Sequence, residues 1–159
     1  MKTKLATANR PLAGEAYLKF QLAPQVLAVF AARAVEEAAV LPSAQVTAMP
    51  NMPPCMLGLV NCRNRVIWMA DLVRLLGLPG PDLPRQQYNT VIIKAGSSLG
   101  LVVDEIEGIV HLKTQQLQPL PPQVNPILMP YLRGCTTQNE QTLLVLDAEA
   151  ILQSSVFQR

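Results

Sequence analysis

Histidine occurs once in this 159-residue chain, as His111, and cysteine three times, as Cys55, Cys62 and Cys135. Any Ser-His-Asp or Cys-His relay would depend on that one residue, which lies between Val110 and Leu112 with no partner pattern around it. No two cysteines are spaced C-x-x-C, so no zinc site or thiol redox motif is written here. The odd number argues for a reducing compartment rather than a disulfide framework. Charge is scarce too, at 15% of residues, and 13 Lys+Arg against 11 Asp+Glu leave a net +2. No stretch gathers a basic stripe able to track a phosphate backbone, so nucleic acid is not an expected partner. The longest apolar run, Val26 to Ala32, stops at Arg33, far short of the roughly 20 residues of a membrane helix, and no direct membrane insertion is expected. Lys2 and Lys4 open like a signal peptide, but Thr7, Asn9, Arg10 and Pro11 arrive before an apolar core can form, which points to the cytoplasm. Gly96-Ser97-Ser98-Leu99-Gly100 lacks the Lys-Ser/Thr of a phosphate loop and leads into a strand, so it reads as a hairpin turn.

Half of the residues are hydrophobic, enough for a packed domain of this length to bury about 70% of its unfolded surface. Strict alternation begins near Tyr17, with Leu18, Phe20 and Leu22 on one face and Lys19 and Gln21 on the other, the period of a half-buried strand ended by Pro24. By propensity alone Val26 to Leu41, with Ala31-Ala32-Arg33-Ala34 and Glu36-Glu37, reads as helix. Prolines 42, 50, 53 and 54 make a loop. Met56 to Cys62 and Arg65 to Met69 form a hairpin around Arg63-Asn64, because the short amide of Asn tolerates a left-handed turn. Asp71 is placed to cap a short helix, Leu72 to Leu76, stopped by Gly77.

Gly77 to Gln87, punctuated by Pro79, Gly80, Pro81 and Pro84, marks an internal boundary. Beyond it, Thr90 to Ile93 and Leu99 to Val103 read as a second apolar hairpin, and Ile106 to Leu112 as a strand with an interrupted alternation. Leu132 to Thr136 pairs with Thr142 to Leu146 across residues 137–140, and Asp147 caps a last helix, Ala148 to Leu152. Asp71-Leu72-Val73 and Asp147-Ala148-Glu149 close two similar halves, with no repeat in the letters strong enough to establish duplication. Many short strands and very little helix predict an all-β protein of small antiparallel barrels.

The chemistry-bearing residues point to binding rather than catalysis. Asp104 and Glu105 are neighbours on a strand and face opposite ways, so they make no paired acid and base. Arg63 stands out at a hairpin tip beside Asn61, with Arg65 two residues on, because arginine is enriched at the centres of protein interfaces.

Gly58-Leu59-Val60-Asn61-Cys62-Arg63-Asn64-Arg65-Val66-Ile67-Trp68-Met69-Ala70-Asp71-Leu72 resembles the signature of the CheW family, G-x-x-N-x-R-G followed by a strand and a D-L helix start. Leu99 to Ile106 is similar to that family's V-G-I-V-V-D-x-V strand, and Tyr131-Leu132-Arg133-Gly134 with Leu143 to Asp147 to its closing hairpin. Asn64 stands in place of the usual glycine and Trp68 in place of a common proline. The resulting N-x-R-x-R-V-x-W pattern looks like the PixI-type branch serving phototaxis and pilus motility in cyanobacteria.

The resemblance implies two SH3-like five-stranded barrels with short helices, and strands rather than helix over Val26 to Leu41. Residues 1–15, which carry no periodic apolar pattern, read as an arm, and the resemblance makes 16–154 the CheW-like domain, with barrels at about 16–77 and 88–147 and a helix at about 148–152. It further implies a non-enzymatic adaptor, without cofactor or metal, that joins the regulatory domain of a CheA-type histidine kinase to the cytoplasmic tip of a methyl-accepting chemoreceptor. Val35, Glu37, Gly58 and Arg63 would face the receptor, on a turn supported by Asn61 and Asn64. A nucleic-acid-binding double barrel is the alternative reading, and an enzyme pairing Cys62 or Cys135 with His111 a distant third.

Overall fold

The computed structural model describes residues 14–80, 85–113, 117–120 and 124–154. Residues 1–13 of the expected arm lie outside them. Among the described residues ten strands and two short helices follow in order: β1 (Glu15–Ala23), β2 (Val26–Ala31), β3 (Val35–Pro42), β4 (Met56–Cys62), β5 (Arg65–Asp71), α1 (Leu72–Leu75), β6 (Gln87–Lys94), β7 (Ser98–Val103), β8 (Glu105–Leu112), β9 (Leu132–Gln138), β10 (Gln141–Leu146) and α2 (Ala148–Leu152). The helix favoured by propensity over Val26 to Leu41 is absent. In its place stand β2 and β3, joined by one 3₁₀ turn at Ala32–Ala34. Burial decides against propensity here. Five of the six residues of β2 are buried and β3 alternates along its whole length, and the pleat of a sheet satisfies both patterns.

The strands make two five-stranded sheets, β9-β10-β2-β1-β8 (barrel I) and β3-β6-β7-β5-β4 (barrel II). Each contains one parallel pair, β10 with β2 and β5 with β7, among antiparallel neighbours. This corrects the expected division at residues 77–87. The chain does consist of two similar halves, but the halves are not the barrels. Each half runs hairpin, single strand, hairpin, short helix, and the first hairpin of each half crosses over to complete the sheet of the other. Alternation in a sequence says which face of a strand is buried, not which strand lies beside it.

Bridges outside the named strands, Thr47 with Leu59 and Gln118 with Cys135, join the two edges of each sheet. Tyr17, Leu27, Val29, Leu143 and Val145 fill barrel I, and Val60, Ile67, Met69, Ile92 and Val102 fill barrel II. A larger core lies between them. It takes Phe20 and Phe30 from one barrel, Val91, Ile93 and Leu101 from the other, and Leu72, Leu76 and Ile151 from the helical ends. The Phe20 and Phe30 rings stack with centroids 5.5 Å apart. Several strands are therefore covered on both faces, which is why β2, β6 and β7 read as continuous apolar runs.

The register shows the repeat that the letters hide. Gly58 and Gly134 both adopt positive φ, 140° and 154°, and sit at matching bulges in β4 and β9. The amide of Asp71 donates to the carbonyl of Cys55, and that of Asp147 to the carbonyl of Tyr131. Each last hairpin turns through two residues of positive φ, Arg63-Asn64 and Asn139-Glu140. The second of these turns is tighter than the four-residue connection expected. The aspartates differ in what their side chains do. Asp147 caps α2 by accepting from the Ala150 amide at 3.2 Å. The expected capping bond from Asp71 is not made; its carboxylate lies 3.4 Å from the Arg74 guanidinium instead.

Candidate functional site

The β4–β5 hairpin carries Asn61, Arg63, Asn64, Arg65 and Val66 as an exposed rim, interrupted only by the inward Cys62. Arg63 and Asn64 both hold left-handed φ, 53° and 65°, the backbone of a tight two-residue turn. That conformation lifts the Arg63 side chain into solvent, where it is 77% exposed. It does not stay unpartnered. Arg63 Nε donates to both carboxylate oxygens of Glu37, at 2.9 Å each. Glu37 comes from β3, at the opposite edge of the same sheet, so the contact crosses the seam where the two edges of the barrel meet. The guanidinium holds the Glu37 carboxyl below its ordinary value of 4.5, and Glu37 in turn pushes the Arg63 guanidinium above its ordinary value.

A second pair lies beside the first. Arg65 Nη2 meets Glu36 Oε2, Arg65 Nη1 donates to Ser98 Oγ at 3.3 Å, and Ser98 Oγ donates to Glu36 Oε1 at 2.9 Å. Consecutive side chains of a regular strand point to opposite faces, so two adjacent glutamates should not both reach one hairpin. A bulge makes it possible. Val35 pairs with Ile93 and Glu37 with Ile92, leaving Glu36 as the extra residue, and such an insertion re-aims a side chain.

The structure brings together Glu37 and Arg63 from the expected set, with Asn61 and Asn64 framing the turn. Val35 begins the same strand and packs half-buried against the central core. Gly58 does not join them. It is buried at the other end of β4, five residues from Arg63 and so roughly 16 Å along an extended strand. A Cβ there would lie 2.1 Å from the Thr47 carbonyl oxygen. Gly58 thus permits the close approach that shuts barrel II. Sequence reasoning missed Glu36 and Ser98 altogether, and gave Arg65 no partner. The doublet Glu36-Glu37 was the available signal, unreadable without the bulge.

Catalytic alternatives do not assemble. Cys62 lies inside barrel II and Cys135 in the central core, both buried, whereas His111 is exposed on β8 opposite Ala16. Among the described residues no group of three or more His, Cys, Asp or Glu is placed to hold a metal ion, and no helix is long and apolar enough to cross a membrane. The hairpin arginines are each neutralised by a glutamate, which leaves balanced charge rather than the bare basic groove that nucleic acid needs.

A family model described as the CheW-like domain matches residues 16–156. A probable chemotaxis protein CheW of Rhizobium etli is 27% identical over 109 residues, 69% of this chain and 70% of that protein. Protein PilI of Pseudomonas aeruginosa is 28% identical over 128 residues, 80% of this chain and 71% of that one. The crystal structure of the scaffolding protein TtCheW from Thermoanaerobacter tengcongensis superposes with a TM-score of 0.76 at 20% identity, covering 92% of this chain and 94% of that one. That superposition shows the fold: two SH3-like barrels and few short helices.

Proposed function

The chain belongs to the CheW-like domain family, and from that premise we propose that it is a non-enzymatic cytoplasmic adaptor. In this reading it holds the regulatory domain of a CheA-type histidine kinase against the cytoplasmic tip of a methyl-accepting receptor, in chemotaxis, phototaxis or pilus-motility signalling. The observation that carries the reading is the Glu37–Arg63 pair. It stands at an exposed hairpin tip, on the residues that the family resemblance assigns to the receptor face. An arginine held on a rigid turn by one carboxylate is ordered before its partner arrives, so docking loses little side-chain entropy. The relatives add two settings, chemotaxis and the PilI protein of Pseudomonas.

An adaptor transmits a signal only if it favours one state of its partners, because equal affinity for both states shifts nothing. Co-elution on a sizing column tests the reading, using the pure protein, the kinase regulatory domain and a receptor-tip fragment. A ternary complex is the expected result, and no complex well above micromolar concentration would refute it. Arg63→Ala should weaken receptor binding by about 1–3 kcal/mol with the fold intact. Calorimetric titration of the variant reads this directly, and unchanged affinity would remove Arg63 from the docking face.

A further inference from the structure

The two barrels supply an internal control for the charged ladder of barrel II. The paired registers make Arg65 equivalent to Gln141, Arg63 to Asn139, Ser98 to Leu27, Glu36 to Glu107 and Glu37 to Gly108. Barrel I keeps the bulge and its glutamate: Gly108 pairs with Lys19 and Ile106 with Phe20, with Glu107 between them. It keeps nothing else of the ladder. Glu107 turns to Lys19 at 3.5 Å and Gln21 at 3.4 Å, both on the adjacent strand β1. Among the described residues the last hairpin of barrel I shows no ion pair to a carboxylate across the sheet. The tie from its tip, Lys19 Nζ to Gln141 Oε1 at 3.4 Å, is to a neutral amide.

Barrel I closes through Gln118 and Cys135 just as barrel II closes through Thr47 and Leu59. The architecture accordingly does not require ion pairs between the single strand and the hairpin tip. Exposed pairs of this kind also contribute little to stability. We propose that Arg65, clamped between Glu36 and Ser98, is a positioning residue that fixes the β3 bulge against the β4–β5 hairpin and so presents the Glu37–Arg63 pair for docking. The proposal rests on the reading of that pair as the receptor face. Arg65 suits the role because its planar fork bonds two different groups at once, where a lysine would offer one compact charge. Ser98 opens β7 and brings a third strand into the clamp, which ties the tip to the barrel wall.

The test uses the full chain with Arg65→Gln, Arg65→Lys and Glu36→Gln, alone and combined with Arg63→Ala. One readout is calorimetric affinity for the receptor-tip fragment, and the other is NMR titration of the Glu37 carboxyl. Each single variant at Arg65 or Glu36 should lower affinity about fivefold and add almost nothing once Arg63 is alanine, because the effect runs through Arg63. The Glu37 carboxyl should titrate higher in Arg65→Lys, which keeps the charge but loses the bridge. Wild-type affinity in Arg65→Lys, full additivity with Arg63→Ala, or an unmoved Glu37 titration would each overturn the proposal. Should Arg63→Ala itself bind like wild type, the receptor reading fails, while the Glu37 titration still decides whether Arg65 positions the pair.

Discussion

Barrels I and II share a strand order, a closing bridge, a bulge glycine and a two-residue turn, and they differ in what hangs on that frame. Barrel II carries Glu36, Glu37, Arg63, Arg65 and Ser98 where barrel I carries Glu107, Gly108, Asn139, Gln141 and Leu27. The frame is what folding needs, because both copies keep it. The charged ladder is what one copy has in addition. On the proposed reading, a duplicated architecture thus separates the shared frame from the residues offered for docking without any alignment of relatives.

The largest expected effect breaks the frame unequally. Gly58→Ala would force a Cβ to 2.1 Å from the Thr47 carbonyl, whereas at Gly134 the nearest atom, the Gln118 carbonyl oxygen, lies at 3.0 Å. Both sites also require positive φ. Urea unfolding should show a loss of about 3 kcal/mol or more for Gly58→Ala and about half of that for Gly134→Ala. Equal losses would mean that φ alone, and not the close approach at the bridge, governs both sites.

The two aspartates offer a second contrast. Asp147→Ala removes a made cap and should cost about 1 kcal/mol. Asp71 makes no cap bond of that geometry, and burial raises its carboxyl above the ordinary 3.8, against the opposing pull of the Arg74 guanidinium and of the nearby Val73 amide. A raised carboxyl binds its proton more tightly folded than unfolded. Its effect on stability is therefore most favourable below that ordinary value and is lost as pH rises through the folded one. Asp71→Asn should flatten this decline and leave the neutral protein more stable than wild type. Thermal midpoints taken between about pH 3 and pH 7 check it, and a midpoint that rises with pH more steeply in wild type than in Asp71→Asn would reverse the sign.

The smallest effect lies in the turns. Glu140 and Asn64 occupy equivalent positions at φ 64° and 65°, but glutamate has no local amide with which to offset the left-handed strain. Glu140→Gly should stabilise by up to about 1 kcal/mol and Asn64→Gly by less. Chemical denaturation of the pair resolves the order.

How much of this was legible in the sequence follows from what local patterns encode. The β4–β5 hairpin was readable from Asn64, because a turn residue states its own φ. The β6–β7 hairpin was readable from two apolar runs around Gly96. Val26 to Leu41 misled, since its alanines carry a helical propensity that burial on a sheet overrides. The exchange of hairpins between halves was not legible, because Leu27 looks the same whether its neighbour is Leu143 or a residue of its own half. Arg63 could be picked out by its place at a tip. Arg65 could not be given a role, because Glu36 comes within its reach only through a one-residue bulge that no spacing rule announces.

The crossing of the first hairpin has a consequence for how the molecule is made. Among the strands of this domain β1 and β2 are made before the rest, yet their neighbours in the sheet, β8 and β10, follow only after every strand of barrel II. Barrel II can assemble from a continuous stretch, β3 to β7, while the hairpin before it waits with Tyr17, Leu27 and Val29 still uncovered. Pairings this distant along the chain form slowly, and an unpaired apolar hairpin is what encourages association with other chains in the interval. Of these strands, the first made are the last housed.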